Sequence, residues 1–286
     1  MSTTRSARQL AWPDLVWSHF SRPRFDDIDA RIAAASSAGF AAIGLYANAW
    51  GRERDGGRTV SDLSDTLDRH GITIAEVETV RGWWATEGPV HESNQRVETL
   101  AYELTDAIGV RYLQAIGPYE CGLDQAIEGF AGLCDRAAEH GLLVGLEWLP
   151  YTNIATAADA AALVLGAGRA NGGYCADIWH HVRGANDEPM LMALEPERIF
   201  AVQINDGTLK PTLDDYKGDC LAYRLPPGQG EFDCVGFVRM LAEMGVVAPI
   251  SVEVCSTDLW AAPVEIAATR AAEGMRDVLA AAGSSK

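Results

Sequence analysis

The chain has 286 residues, 48% of them hydrophobic, enough for one large domain of the size a (β/α)8 barrel needs, about 250 residues. With 40 acidic residues against 23 basic ones, the net charge is −17. That argues against nucleic acid as a partner, because such binding rests on Lys and Arg neutralising phosphates, and an anionic membrane surface is disfavoured for the same reason.

No run approaches 18 apolar residues, so no segment is expected to span a membrane. The first ten residues, MSTTRSARQL, hold no apolar stretch of the export-signal kind. Six cysteines are scattered at 121, 134, 175, 220, 234 and 255 with no CxxC, which suits a reducing cytoplasm better than a disulfide scaffold. Residues 1–10 are expected to form a flexible tail ahead of a single catalytic domain over 11–286.

In chain order, Leu15 to Trp17 predicts a short strand, with His19 in the loop after it. Asp26 to Ala38 predicts a helix, closed by Gly39, and Ala41 to Tyr46 the second strand. Asn48 to Arg58 is polar and Gly-containing and predicts a loop. Ser61 to His70 predicts a helix, Ile72 to Val80 a strand, and Glu92 to Ile108 a long helix. Arg111 to Ile116 is the fourth strand and Leu123 to His140 the next helix. Glycines 39, 71, 109, 141 and 245 recur where helix C-caps belong.

The second half is organised around Gly145 to His181. Leu142 to Leu146 is an apolar run of strand length ending at Glu147, and Gly173 to Ala176 is another ending at Asp177. Thr156 to Gly168 predicts the helix between them. The pattern returns in Ile199 to Val202, leading into Gln203, and in Pro249 to Val252, leading into Glu253. The last two helices are expected near Cys234 to Met244 and Val264 to Ala282. Eight strand–helix units without a Pro- or Gly-rich linker predict an α/β fold, a (β/α)8 TIM barrel. The longest connection, Asp206 to Asp233, is expected to fold over the mouth.

Glu147, Asp177, Gln203 and Glu253 thus stand at the tips of four successive strands, the end that carries active sites in such barrels. A lone acid at a strand end is ordinarily a solvated residue. Three converging carboxylates would repel one another unless a cation sat among them. An all-oxygen set favours one divalent ion of the Mn²⁺, Mg²⁺ or Co²⁺ type over a thiolate zinc site.

GLEWLP at 145–150, ADIWHH at 176–181, VQIND at 202–206, RLPPGQGEFD at 224–233 and SVEV at 251–254 together resemble the sugar phosphate isomerase/epimerase superfamily, the xylose-isomerase-like TIM barrels. The resemblance implies that Glu147, Asp177, Gln203 and Glu253 bind one divalent metal. It also implies that Glu147 and Glu253 form the acid/base pair, and that His180 and Arg224 occupy the family's substrate-contacting positions. Many epimerases of this group have His where this chain has Gln203; hydroxypyruvate-isomerase-like members are similar to it in using Gln.

A divalent ion polarises a carbonyl and lowers the cost of the enediolate formed when the neighbouring proton leaves. Two carboxylates on opposite sides can then remove and return a proton. His180 is read as a donor to a substrate oxygen, and His19 as a second contact at the mouth. Trp17, Trp50, Trp83, Trp84, Trp148 and Trp179 all fall at or just after strand ends. Packing over the barrel accounts for some of them; as a group they predict an apolar wall, with Trp17, Trp148 and Trp179 touching substrate. No basic or Gly-rich phosphate loop follows the last two strands, which disfavours a phosphorylated substrate.

The leading expectation is a metal-dependent isomerase or epimerase acting next to a carbonyl of a small sugar-like substrate. The alternative is a lyase or dehydratase on a keto-sugar, keto-polyol or 3-keto-glycoside, which shares the first half of the mechanism. A non-catalytic binding barrel is the weaker alternative, which the two glutamates argue against. A homo-oligomer is compatible with the chain.

Overall fold

A computed structural model describes residues 12–283. The expected flexible tail, residues 1–10, lies outside the described residues. The elements in order are β1 (Leu15–Trp17), α1 (Ile28–Ala38), β2 (Ala42–Tyr46), α2 (Ala47–Asp55), α3 (Val60–His70), β3 (Thr73–Val80), α4 (Gly88–Ile108), β4 (Tyr112–Ile116), α5 (Leu123–Ala138) and β5 (Leu143–Glu147). There follow α6 (Ala157–Ala167), β6 (Gly172–Asp177), α7 (Ile178–Val182), α8 (Glu188–Met192), β7 (Ile199–Ile204), α9 (Tyr216–Ala222), α10 (Cys234–Met244), β8 (Ile250–Val252), α11 (Thr257–Ala261) and α12 (Val264–Gly283).

The eight strands pair in parallel in sequence order, and β1 pairs with β8 to close the barrel. This is the TIM barrel that the alternation of apolar runs and helices predicts. The helices start and stop for local reasons. Thr59 and Thr156 open α3 and α6 with capping boxes to Asp62 and Asp159, satisfying otherwise unpaired N–H groups. Gly39 closes α1 at φ 79°, a left-handed conformation that costs glycine little.

One connection differs from expectation. Residues 48–58 predict a loop, but Ala47–Asp55 form α2, burying Ala47, Ala49, Trp50 and Gly51. Gly51 belongs there for packing: a Cβ at that position would lie 2.9 Å from Leu100 Cδ1 on α4.

The long connection over 206–233 is a built structure. Backbone Asp206 pairs with Leu225, and the Asp206 carboxylate accepts N–H bonds from Gly207, Gly230 and Phe232 at 2.7 to 2.9 Å. A second pairing joins Tyr223 to Ser256. This frame brings Tyr216 and Arg224 to the barrel mouth. Among the described residues, no helix is long and apolar enough to cross a membrane.

Candidate active site

Side chains alternate along a strand, so the residue next to an inward-facing one faces the surrounding helices. At the tip of β5, Glu147 turns inward, and Gln114 Nε2 on β4 donates to its Oε2 at 2.7 Å. Asp177 ends β6, fully buried. Its Oδ1 accepts from Trp179 N at 2.8 Å and from Asn205 Nδ2 at 2.9 Å. Gln203 sits opposite Asp177 in the β6–β7 register, and its Nε2 is 3.2 Å from Glu253 Oε1.

Arg224 ties two of the acids together. Its Nη1 donates to Asp177 Oδ2 and to Glu253 Oε2, both at 2.8 Å. Ser18 Oγ holds the other oxygen of Glu253 at 3.1 Å. His180 Nε2 lies 3.4 Å from Glu147 Oε1 and 3.7 Å from Asp177 Oδ2, while its Nδ1 pairs with Tyr216 OH at 3.0 Å.

The four expected ligand residues therefore stand on neighbouring strands at one mouth. The tightest group, however, is Glu147, Asp177 and His180, each offering a ligand atom within 4.8 Å of the others. Glu253 is drawn aside by Arg224 and Ser18. The chemistry of the donors fits a divalent cation. The side-chain oxygen Oε1 of Gln203 is buried without a hydrogen-bond partner, which is costly for an amide oxygen unless something is meant to meet it. With the carboxylates it forms the oxygen-rich set that hard cations prefer.

Burial raises the proton affinity of both glutamates. Glu147 is pushed well above the usual carboxylate range by desolvation, then by the charges of Glu253 and Asp177. Desolvation lifts Glu253 to about 8, partly offset by Arg224. Desolvation lowers His180 to about 3, so its imidazole is neutral at ordinary pH. The four side chains Glu147, His180, Arg224 and Glu253 line one open cavity, together with Phe20 and Tyr151.

The expected tryptophan wall is absent from that cavity. Trp17, Trp50, Trp83, Trp148 and Trp179 are all buried in the hydrophobic core, and Trp84 packs against it. Trp17 stacks on Phe40 and lies under the Arg31 guanidinium. Trp148 directly follows inward-facing Glu147, so alternation turns it outward. Trp179 packs against Phe232 and under Arg183 and Arg224, which makes it a support for Arg224. His19 is also fully buried; its Nε2 is 2.9 Å from the Arg24 carbonyl, and its backbone N–H donates to Glu78. Sequence reasoning missed Ser18, Gln114 and Tyr216. Gln114 leaves a signal, a lone amide within the apolar strand Tyr112–Ile116; Tyr216 leaves none.

A closed eight-stranded barrel with buried carboxylates converging at one mouth has the layout of TIM barrels, which carry their sites at that end. The chain belongs to the xylose isomerase-like TIM barrel family, whose model matches residues 32–280. Among curated proteins it is similar to 3-dehydroshikimate dehydratase of Pseudomonas aeruginosa, with 34% identity over 148 residues, 51% of this chain and 23% of that protein. The dehydratase of the same name from Pseudomonas putida shares 28% over 148 residues, 51% of this chain and 22% of that protein. The match thus spans under a quarter of the length of these relatives. Among solved structures, the IOLI protein, crystallised with a zinc atom, superposes with a TM-score of 0.81 at 20% identity, covering 95% of this chain and all of that one. D-allulose 3-epimerase from Methylomonas sp. in complex with D-allulose gives 0.72 at 18%, covering 96% of this chain and 99% of that one.

Proposed function

We propose that the protein is a divalent-metal-dependent lyase of the dehydratase type. It removes the proton next to a carbonyl of a small polyhydroxylated substrate, and the hydroxyl on the following carbon leaves as water. The observation that carries elimination over isomerisation is the sequence similarity to two dehydratases.

Glu147, Asp177, Gln203 and Glu253, with His180 beside them, would hold one Mn²⁺, Mg²⁺ or Co²⁺ ion. Bound there, the ion would polarise the substrate carbonyl and stabilise the negative charge that develops beside it.

Glu147 is the better-placed base. Arg224 is bonded to Asp177 and Glu253 but not to Glu147, whose orientation comes from Gln114. In the metal-free chain, burial raises the proton affinity of Glu147. His180 supplies a neutral imidazole next to it, oriented by Tyr216. It can donate a hydrogen bond to the departing hydroxyl, which takes up the proton that Glu147 removed from carbon and leaves as water.

One observation favours isomerisation or epimerisation as a second reading. Glu147 on β5 and Glu253 after β8 both face the cavity, as removal on one side and return on the other would need. Mass spectrometry of metal-loaded protein incubated in D2O with 3-dehydroshikimate or with D-allulose separates the two. A product lighter by one water is expected. A product of unchanged composition carrying deuterium next to the carbonyl would move the assignment to isomerase or epimerase.

A further inference from the structure

Two arginines at the rim of the cavity have no acidic partner among the described residues. Arg24 lies in the loop after β1 and Arg81 directly follows β3; both are exposed. Both line the central cavity with Glu147 and His180. Both also line an adjoining hollow of about 170 Å³, together with Tyr46, Asn48 and Ser93. The two spaces therefore share Phe20, Arg24, Thr79 and Arg81 in their linings.

Among the described residues, Arg24 and Arg81 form no ion pair with a carboxylate, a condition they share with Arg31, Arg52, Arg69, Arg111, Arg198, Arg270 and Arg276; what distinguishes them is that both line the cavity that holds Glu147 and His180. In a chain of net charge −17, acids to pair with are plentiful. Arg24 is held by other means: its guanidinium carbon lies 5.7 Å from the Phe20 ring centroid and 6.0 Å from that of Tyr46, and its carbonyl meets His19 Nε2. These contacts position the cation without neutralising it. The hollow also borders the first turn of α2 through Asn48, and that helix has no side-chain cap, so its free N–H groups add partial positive charge. The cavity is thus acidic at its floor, around Glu147 and Glu253, and cationic at its rim.

We infer that Arg24 and Arg81 bind an anionic substituent of the substrate, a carboxylate or a phosphate, and so set which end of the molecule faces the acidic floor. This rests on the reading of the floor as the catalytic centre. Guanidinium groups suit either anion through paired N–H donors.

Matched ligands test it by calorimetry on metal-loaded protein: D-glucuronate, D-glucose and D-glucose 6-phosphate, with the corresponding galactose series. These differ only at the terminal carbon. At least one anionic member is expected to bind about tenfold or more tightly than its neutral parent, the scale of one charge-assisted contact. The carboxylate and phosphate arms show which anion fits. The preference should vanish in the double variant Arg24→Gln, Arg81→Gln and persist in part in Arg24→Lys, Arg81→Lys, which keeps the charge. Neutral sugars binding as tightly as both anions, no binding of any anion, or a preference that survives the double glutamine variant would each overturn the inference. Turnover is recorded separately with the substrates named above. A protein with the anion preference but no turnover would defeat the proposed activity and leave this site standing; turnover without the preference would do the reverse.

Discussion

The barrel holds two pairs of buried glutamates, and only one pair faces the cavity. Glu76 and Glu78 on β3 are exposed by 3% and 0%, Glu147 and Glu253 by 5% each. Desolvation pushes up all four carboxyls, Glu76 to about 7 and Glu253 to about 8. What separates the pairs is what meets them. Ser251 Oγ donates to Glu76 at 2.6 Å and the His19 N–H to Glu78, while the Ser18 hydroxyl is shared between Glu78 and Glu253. These bonds lock the β3 pair within the barrel. Glu147 and Glu253 instead line the cavity, beside a neutral histidine, Arg224 and the unpartnered oxygen of Gln203. A perturbed carboxyl alone therefore does not mark a reaction centre, since structural networks perturb acids too. Convergence on an open space does.

The sharpest way to break this contrast is to neutralise one acid at a time. Glu147→Gln is expected to lower turnover by about two to four orders of magnitude, the range for a general acid or base, and Glu253→Gln to lower it as well, through the weaker ligand an amide makes. Glu76→Gln should stay within a few-fold of the native rate, because the amide can still accept from Ser251. Steady-state kinetics at saturating metal decide the matter. An equal loss in all three variants would place the β3 pair in the chemistry as well.

Metal content gives the next largest effect. Asp177→Ala should lose the ion that the native chain is expected to carry. It should also destabilise the fold by about 3 to 5 kcal/mol, since Arg224 is left buried with half its charge compensation removed. Gln203→His should keep the metal and Gln203→Leu should weaken it, as imidazole can replace an amide oxygen and leucine donates nothing. Elemental analysis with denaturant titration tests both. Native metal content in Gln203→Leu would remove Gln203 from the ligand set.

Much of the scaffold was legible because it rests on local rules. Apolar runs ending at Glu147 and Asp177 marked strand tips, and Gly39 and Gly71 marked helix ends. Residues 48–58 misled, because Gly51 reads as a loop signal when its role is close packing against Leu100. The tryptophans misled for a related reason. Position at a strand end is visible in the chain, but the side of the strand is decided by a one-residue alternation that Glu147 and Trp148 split between them. Nor could the chain show that Arg224 would bridge Asp177 and Glu253, which depends on the frame around Asp206. Motifs encode which residues reach a mouth; tertiary contacts decide which of them meet.

The smallest effect concerns stability and pH, and it separates the two glutamate pairs most finely. Glu76 and Glu253 have folded values of about 7 and about 8 against 4.5 for an unperturbed glutamate. The native state therefore holds protons that the unfolded chain has released. Their contribution is fully present below pH 4.5 and is lost as pH rises through the folded values. His180, lowered from 6.5 to about 3, works oppositely: its contribution is present above pH 6.5 and is lost as pH falls towards 3. Above pH 6.5 only the glutamates still change, so metal-free protein should lose stability between there and about pH 8, by at most about 1.4 kcal/mol per pH unit for each group. A cation bound beside Glu147 and Glu253 should remove the share of these two glutamates, because it stabilises the ionised carboxylates. It should leave the share of Glu76, which hydrogen-bonds elsewhere. Glu76→Gln is thus expected to flatten the profile with or without metal, and Glu253→Gln only without it. Denaturation midpoints measured across this window, in chelator and in excess Mn²⁺, test the distinction; a Glu76→Gln effect that disappears on adding metal would show that the two pairs act as one site.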